Sequence, residues 1–178
     1  MFENEGMHEG NPSTCILACS PDSCEDNDSM IVPCDMGSYT DNDNDSSGSY
    51  TQGKYCEEDE DWYYFEVQDL TLPTVDPEVW LEGLDTDLDL MVCYRCIYGN
   101  PNSSFSCSSG GYVNYAGMHC CESWNGGNNS EHVHFGCLTC PSFCLDQTDD
   151  NIGVFVRVYP ALSNDSTCDH RYTLRWHF

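Results

Sequence analysis

Positive charge is what this chain has least of. Its basic residues are Lys54, Arg95, Arg157, Arg171 and Arg175, five against 31 acids, for a formal net charge of -26. Such a surface repels phosphate backbones and anionic bilayers, which argues against nucleic-acid binding and against a lipid-surface role. Long apolar runs are missing too, so no stretch can cross a bilayer as a helix, and no membrane insertion is expected. The opening MFENEGMHEG is acidic and lacks the apolar centre of a secretory leader, so either a leader has been removed or the gene product starts elsewhere. No segment sustains a helical period, which excludes a helical body. Catalytic signatures are equally scarce: there is no G-x-S-x-G elbow, no H-E-x-x-H and no phosphate-cradling glycine loop, so a non-catalytic role is expected.

What the chain has instead is sulfur and acid. Fourteen cysteines in 178 residues, set among Gly- and Ser-rich spacers, point to a disulfide framework made in an oxidising compartment, and hence to an extracellular or cell-surface protein. The cysteines are Cys15, Cys19, Cys24, Cys34, Cys56, Cys93, Cys96, Cys107, Cys120, Cys121, Cys137, Cys140, Cys144 and Cys168, and all are expected in disulfides. Cys93-Tyr-Arg-Cys96 and Cys137-Leu-Thr-Cys140 have the spacing of zinc knuckles, with His119, His132 and His134 nearby. An oxidising compartment opposes keeping four thiolates reduced among ten other cysteines, so bridges are preferred to zinc. Neighbouring Cys120 and Cys121 are too close to bridge each other without strain and are expected to pair elsewhere.

Length allows one main core. Residues 1–56 are acidic, rich in Ser, Asn, Asp and Gly, and poor in large aliphatics, and they read as an extended N-terminal arm. Five of the cysteines lie in it, an odd number, so complete pairing requires a bridge out of the arm. From residue 57 to 178 the chain reads as short strands between turns. The strand stretches are 62–68, 78–81, 88–96, 111–115, 132–136, 154–159 and 172–178. A loop-rich, cysteine-dense insertion is expected at about 99–151. The pattern predicts an all-β protein, an antiparallel jelly-roll-like β-sandwich.

Acid runs straight into strand at two places. In EEDEDWYYFEV (57–67), Tyr63, Phe65 and Val67 share one face and Trp62, Tyr64 and Glu66 the other; in DTDLDLMVCYRC (85–96), Leu88, Leu90, Val92 and Tyr94 share a face opposite Asp87 and Asp89. Clustered carboxylates repel unless a cation intervenes, and carboxyl oxygens are what calcium prefers. A third acid run, Asp41-Asn-Asp43-Asn-Asp45, alternates like the start of an EF-hand loop, yet Ser46 stands where that loop needs glycine and Gln52 where it needs glutamate. It remains a candidate for an irregular calcium loop.

The order D-W-Y-x-F-x-V (61–67), D-x-D-L-x-V (from Asp85), G-V-F-V-R-V (153–158) and Y-T-L-R-W (172–176) resembles the bacterial pre-peptidase C-terminal domain, in a cysteine-rich variety. The resemblance covers 57–178 and not the arm. It implies a secreted, calcium-binding β-sandwich whose ion is held by acids before the first and second of these motifs, here Glu58, Asp59, Asp61, Asp85 and Asp87. The expected function is a structural subunit that assembles with copies of itself, filament-like, by docking its arm on a neighbour's sheet edge. The alternative is an accessory module that binds carbohydrate or protein through Tyr112, Tyr115 and Trp124.

Overall fold

The computed structural model describes residues 22–41, 47–56, 60–69, 77–98, 100–101, 105–136, 144–145, 151–161 and 170–178. Thirteen strands run in order: β1 (Cys34–Asp41), β2 (Ser47–Tyr55), β3 (Asp61–Asp69), β4 (Glu78–Glu82), β5 (Leu88–Cys96), β6 (Asn100–Pro101), β7 (Ser106–Ser109), β8 (Gly111–Tyr115), β9 (Met118–Ser123), β10 (Glu131–Gly136), β11 (Cys144–Leu145), β12 (Ile152–Pro160) and β13 (His170–His177). A six-stranded sheet, ordered β1-β3-β12-β5-β9-β8, packs on a five-stranded sheet, ordered β2-β13-β4-β10-β7, and β6 pairs with β11 apart from both. Every pairing is antiparallel except β1 with β3, which is parallel. The protein is therefore an all-β, disulfide-rich sandwich, and no helix occurs among the described residues.

Alternation builds the interior. Tyr63, Phe65 and Val67 of β3, Leu88, Leu90, Val92 and Tyr94 of β5, and Val154, Val156 and Val158 of β12 face Val79 and Leu81 of β4, Val133 and Phe135 of β10, and Tyr172, Leu174 and Trp176 of β13. The reverse face of the six-stranded sheet carries a second apolar layer of Trp62, Met91, Cys93, Met118, Cys120 and Phe155. Arg157 lies across it, 4.3 Å from the ring of Tyr159 and 5.7 Å from that of Trp62, and pairs with Glu60 at 2.5 Å. With both faces covered, β5 is buried almost throughout.

Two stretches depart from the sequence reading. Cys34–Asp41 and Ser47–Tyr55, assigned to the arm, form edge strands of the two sheets, and Tyr39 packs its ring on Phe65, Trp176 and Phe178. β2 looks too polar for a strand because glycine takes the place of its apolar side chains. A Cβ on Gly48 would lie 2.4 Å from the Trp176 ring and one on Gly53 2.3 Å from that of Tyr172, so β13 supplies the rings that cover β2. Residues 106–136, within the expected loop-rich insertion, contribute four strands rather than two: β8 and β10, expected at 111–115 and 132–136, and β7 and β9, which were not; β7 and β10 join the smaller sheet, β8 and β9 the larger.

Disulfides fasten these additions. Cys93–Cys120 ties β5 to β9 and Cys96–Cys144 ties the end of β5 to β11. Cys107–Cys121 joins β7 to β9, linking the two sheets, and Cys24–Cys34 anchors the segment before β1. Cys120 and Cys121 do pair apart, but from a strand rather than from loops, their side chains leaving opposite faces of β9. Cys56 is also disulfide-bonded, and no cysteine is free among the described residues. Cys15, Cys19, Cys137, Cys140 and Cys168 lie outside the described residues. The zinc-knuckle alternative is closed for Cys93 and Cys96, whose sulfurs are in bridges. So many bridges place folding in an oxidising compartment.

Candidate metal centre

Of the acids expected to hold calcium, those among the described residues do not converge on one point. Glu58, Asp59, Asp43 and Asp45 lie outside the described residues, as does the side chain of Asp41, the last residue of β1. Asp61 is inside β3 rather than ahead of it, faces the interior and is fully buried. The Tyr172 hydroxyl donates to its Oδ2 at 2.5 Å, and the Tyr63 and Tyr172 hydroxyls are 2.5 Å apart. Tyr63 thus donates to Tyr172 and Tyr172 to Asp61, a polar chain joining the sheets through the core. Burial, reinforced by the neighbouring acid, drives both phenols well above their ordinary pKa, so they act as donors. Asp85 is largely exposed, pairs with His170 Nδ1 at 2.9 Å and accepts from the Arg171 amide. The first residues of β13 therefore supply a donor to one oxygen of Asp61 and meet both oxygens of Asp85.

Asp87 belongs to a different group. Its Oδ1 is buried without a hydrogen-bond partner. Close by are Asp89 at the start of β5, Glu131 at the start of β10 and Glu122 near the end of β9. Asp89 is 8% exposed and Glu131 0%. Glu131 accepts from Ser123 Oγ at 2.5 Å and from the Asn125 amide at 2.8 Å, which folds the β9–β10 connection back across the sheets. Glu122 accepts from the Tyr159 hydroxyl.

The electrostatics of this group are those of carboxylates lacking a counter-ion. Burial first, then the charges of Glu131, Asp87 and Glu122, push Asp89 up to about 6. Burial raises Glu131 as well, with Asp87 adding repulsion against the opposing effect of the Ser123 and Asn125 hydrogen bonds. Buried carboxylates are ordinarily paired or bound to metal. An oxygen-only set of Asp87, Asp89 and Glu131, with Glu122 and the Ser123 hydroxyl beside it, suits a hard divalent cation such as calcium. Among the described residues no three acid, histidine or cysteine side chains already converge on one point, so binding would draw these carboxylates inward. Of this group the sequence reading chose only Asp87. Asp89 sits in the same acid-strand motif and was visible as its neighbour; Glu122 and Glu131 come from other strands and carry no local signal.

The aromatics of the carbohydrate reading are divided. Tyr112 is half-exposed on one face of β8, bonded to His119 Nδ1 at 2.9 Å. Trp124 covers Gly111 on the other face, and Tyr115 packs on Trp62, their ring centroids 5.6 Å apart.

The four motifs that carry the family resemblance are β3, β5, β12 and β13. The first three lie side by side in the order β3-β12-β5, and β13 faces them from the opposite sheet. A scan against protein-family models returns no match, and searches of curated proteins and of solved structures return none either.

Proposed function

We propose that this is a non-catalytic, extracellular structural protein: a β-sandwich subunit held rigid by disulfides and by calcium, similar in plan to the pre-peptidase C-terminal domain. The observation that carries the reading is the buried acid group at Asp87, Asp89 and Glu131, which has repulsion to relieve and oxygen ligands to offer. Calcium bound there would neutralise charges contributed by both sheets and so cross-link them, as a second polar tie at the same end of the larger sheet as the Asp61–Tyr172 chain. No chemistry beyond charge neutralisation and cross-linking is asked of the ion.

Self-association completes the proposal. The outer strands of the sheets, β1 and β8 in one and β2 and β7 in the other, are the edges on which another chain's strand could be added. Strands β1 and β2 already occupy edges of their own sandwich, so a segment docking on a neighbour would come from residues 1–21. Size-exclusion chromatography with light scattering tests this on the oxidised chain with and without residues 1–21, in calcium and in chelator. Concentration-dependent assembly that is lost with the segment is expected; a monomer under all conditions would refute it.

A further inference from the structure

We propose that the exposed face of the five-stranded sheet holds a second, chemically different metal site, formed by His132, His134, His177 and Glu78 and selective for a borderline transition ion such as zinc. Val79, Leu81, Val133, Phe135, Leu174 and Trp176 are buried in the interior. Alternation therefore puts Glu78 and Trp80 of β4, His132 and His134 of β10, and Arg175 and His177 of β13 on the opposite face. Register then lines them up across three neighbouring strands. His134 is opposite Glu78, and Glu78 is opposite His177. Three of the chain's six histidines thus surround a single carboxylate.

One corner of the site is already built. His132 Nε2 lies 2.7 Å from Glu78 Oε1, with both side chains about two-thirds or more buried. The His132 ring stacks on Trp80 at 5.1 Å and 6°, which fixes its plane, and the His134 ring is 6.4 Å away at 22°. Two ligand atoms on a tetrahedral ion with bonds near 2.0 Å stand roughly 3.3 Å apart, so the His132–Glu78 contact needs to open only slightly to admit one. His134 and His177 flank Glu78 from strands on either side, their Cα atoms roughly 10 Å apart by strand spacing, a span that two imidazoles can close on a shared ion. Their ligating atoms are not yet converged. Closing the site takes side-chain rotation on an open sheet face, beside a groove lined by Ser47, Ser49, Glu78, Trp80, Arg175 and His177.

The surroundings suit a cation. Arg175, which lines the same groove, is engaged along the sheet, 4.3 Å over the Trp80 ring and 3.1 Å from Glu82. The chain's charge of -26 concentrates divalent ions near the surface. Selectivity comes from the donors. Three imidazoles and one carboxylate match zinc, copper or nickel, whereas calcium takes oxygen and would gain little from them. The two proposed sites thus sort two classes of ion, hard at Asp87, Asp89 and Glu131, borderline here.

The test is a titration of the oxidised full chain with zinc, and with cobalt(II) as a spectroscopic stand-in, in the presence of excess calcium. A single high-affinity ion per chain is expected, with the visible absorption of tetrahedral cobalt bearing nitrogen ligands. His134→Gln and His177→Gln, at partly exposed positions, should each weaken it by roughly tenfold or more in a chain that still folds without metal, as circular dichroism reads it. Asp89→Asn should not alter it, which separates this site from the calcium reading. Absence of binding, binding that survives both histidine substitutions, or displacement by calcium would overturn the proposal.

Discussion

Removing one buried charge should stabilise this protein when calcium is absent and weaken its response when calcium is present. Asp89 titrates near 6 in the folded chain, against an ordinary 3.8. Its folded pKa is raised, so between these values the folded state holds the proton more tightly than the unfolded state. Stability therefore falls as pH rises through that window, and the loss is complete above it. A rise of this size corresponds to at most about 3 kcal/mol at neutral pH. Asp89→Asn removes the charge while keeping the shape. In chelator at pH 7.5 the variant should unfold higher than the wild type by about 6–12 °C at that upper figure, and the difference should vanish near pH 4. Calcium at about a hundred times its dissociation constant adds about 2.7 kcal/mol to a protein that binds it only when folded. The wild type should gain that increment and the variant much less, so added calcium narrows or reverses the gap. Thermal unfolding followed by circular dichroism, from pH 4 to 8, in calcium, in magnesium and in chelator at matched ionic strength, measures all of it. A variant no more stable than wild type in chelator, or an equal calcium shift in both, would refute the reasoning.

Other consequences can be checked by unfolding alone. Tyr172→Phe removes the donor to the buried Asp61 carboxylate and the acceptor of the Tyr63 hydroxyl, and should cost about 1.5–3 kcal/mol in urea denaturation; a change below about 0.5 kcal/mol would mean that the chain across the core is not a structural tie. Gly53→Ala drives a Cβ to 2.3 Å from the Tyr172 ring and should destabilise by about 1–3 kcal/mol, whereas Gly126→Ala, with no atom within 4 Å, should be near neutral; equal effects would discard the account of β2. Replacing Cys107 and Cys121 together by alanine frees a bridge of sequence separation 14 that joins the sheets, and should lower stability by about 3 kcal/mol; no loss would show that packing alone holds β7 in place.

Much of the fold was readable where one face of a strand is greasy. Tyr63, Phe65 and Val67, or Val154, Val156 and Val158, announce a buried face by alternation, and the strands they belong to are the ones that form the centre of the larger sheet. Strands β1 and β2 were hidden because their burial is supplied from elsewhere: Tyr39 enters an aromatic cluster of β3 and β13, and Gly48 and Gly53 make room for rings of β13. Strand β9 was hidden because consecutive cysteines at 120 and 121 suggested a loop, although on a strand consecutive side chains leave opposite faces and reach different partners. The acid sites divided for a related reason. Sequence proximity grouped Asp61, Asp85 and Asp87, but Tyr172 donates to one oxygen of the first and His170 and the Arg171 amide meet the second, and the remaining group forms only when β9 and β10 bring Glu122 and Glu131 to β5. Cross-strand register similarly assembles His134, Glu78 and His177 from positions far apart in the chain.

The central claim is that the carboxylates gathered near the start of β5 take calcium and draw the two sheets together. Crystals grown in calcium and measured at a wavelength where calcium scatters anomalously test it directly. The account predicts an anomalous peak within coordination distance, about 2.3–2.6 Å, of carboxylate oxygens from Asp87, Asp89 and Glu131. A peak at Asp61 or Asp85 instead, or no peak with those carboxylates still apart, would contradict it.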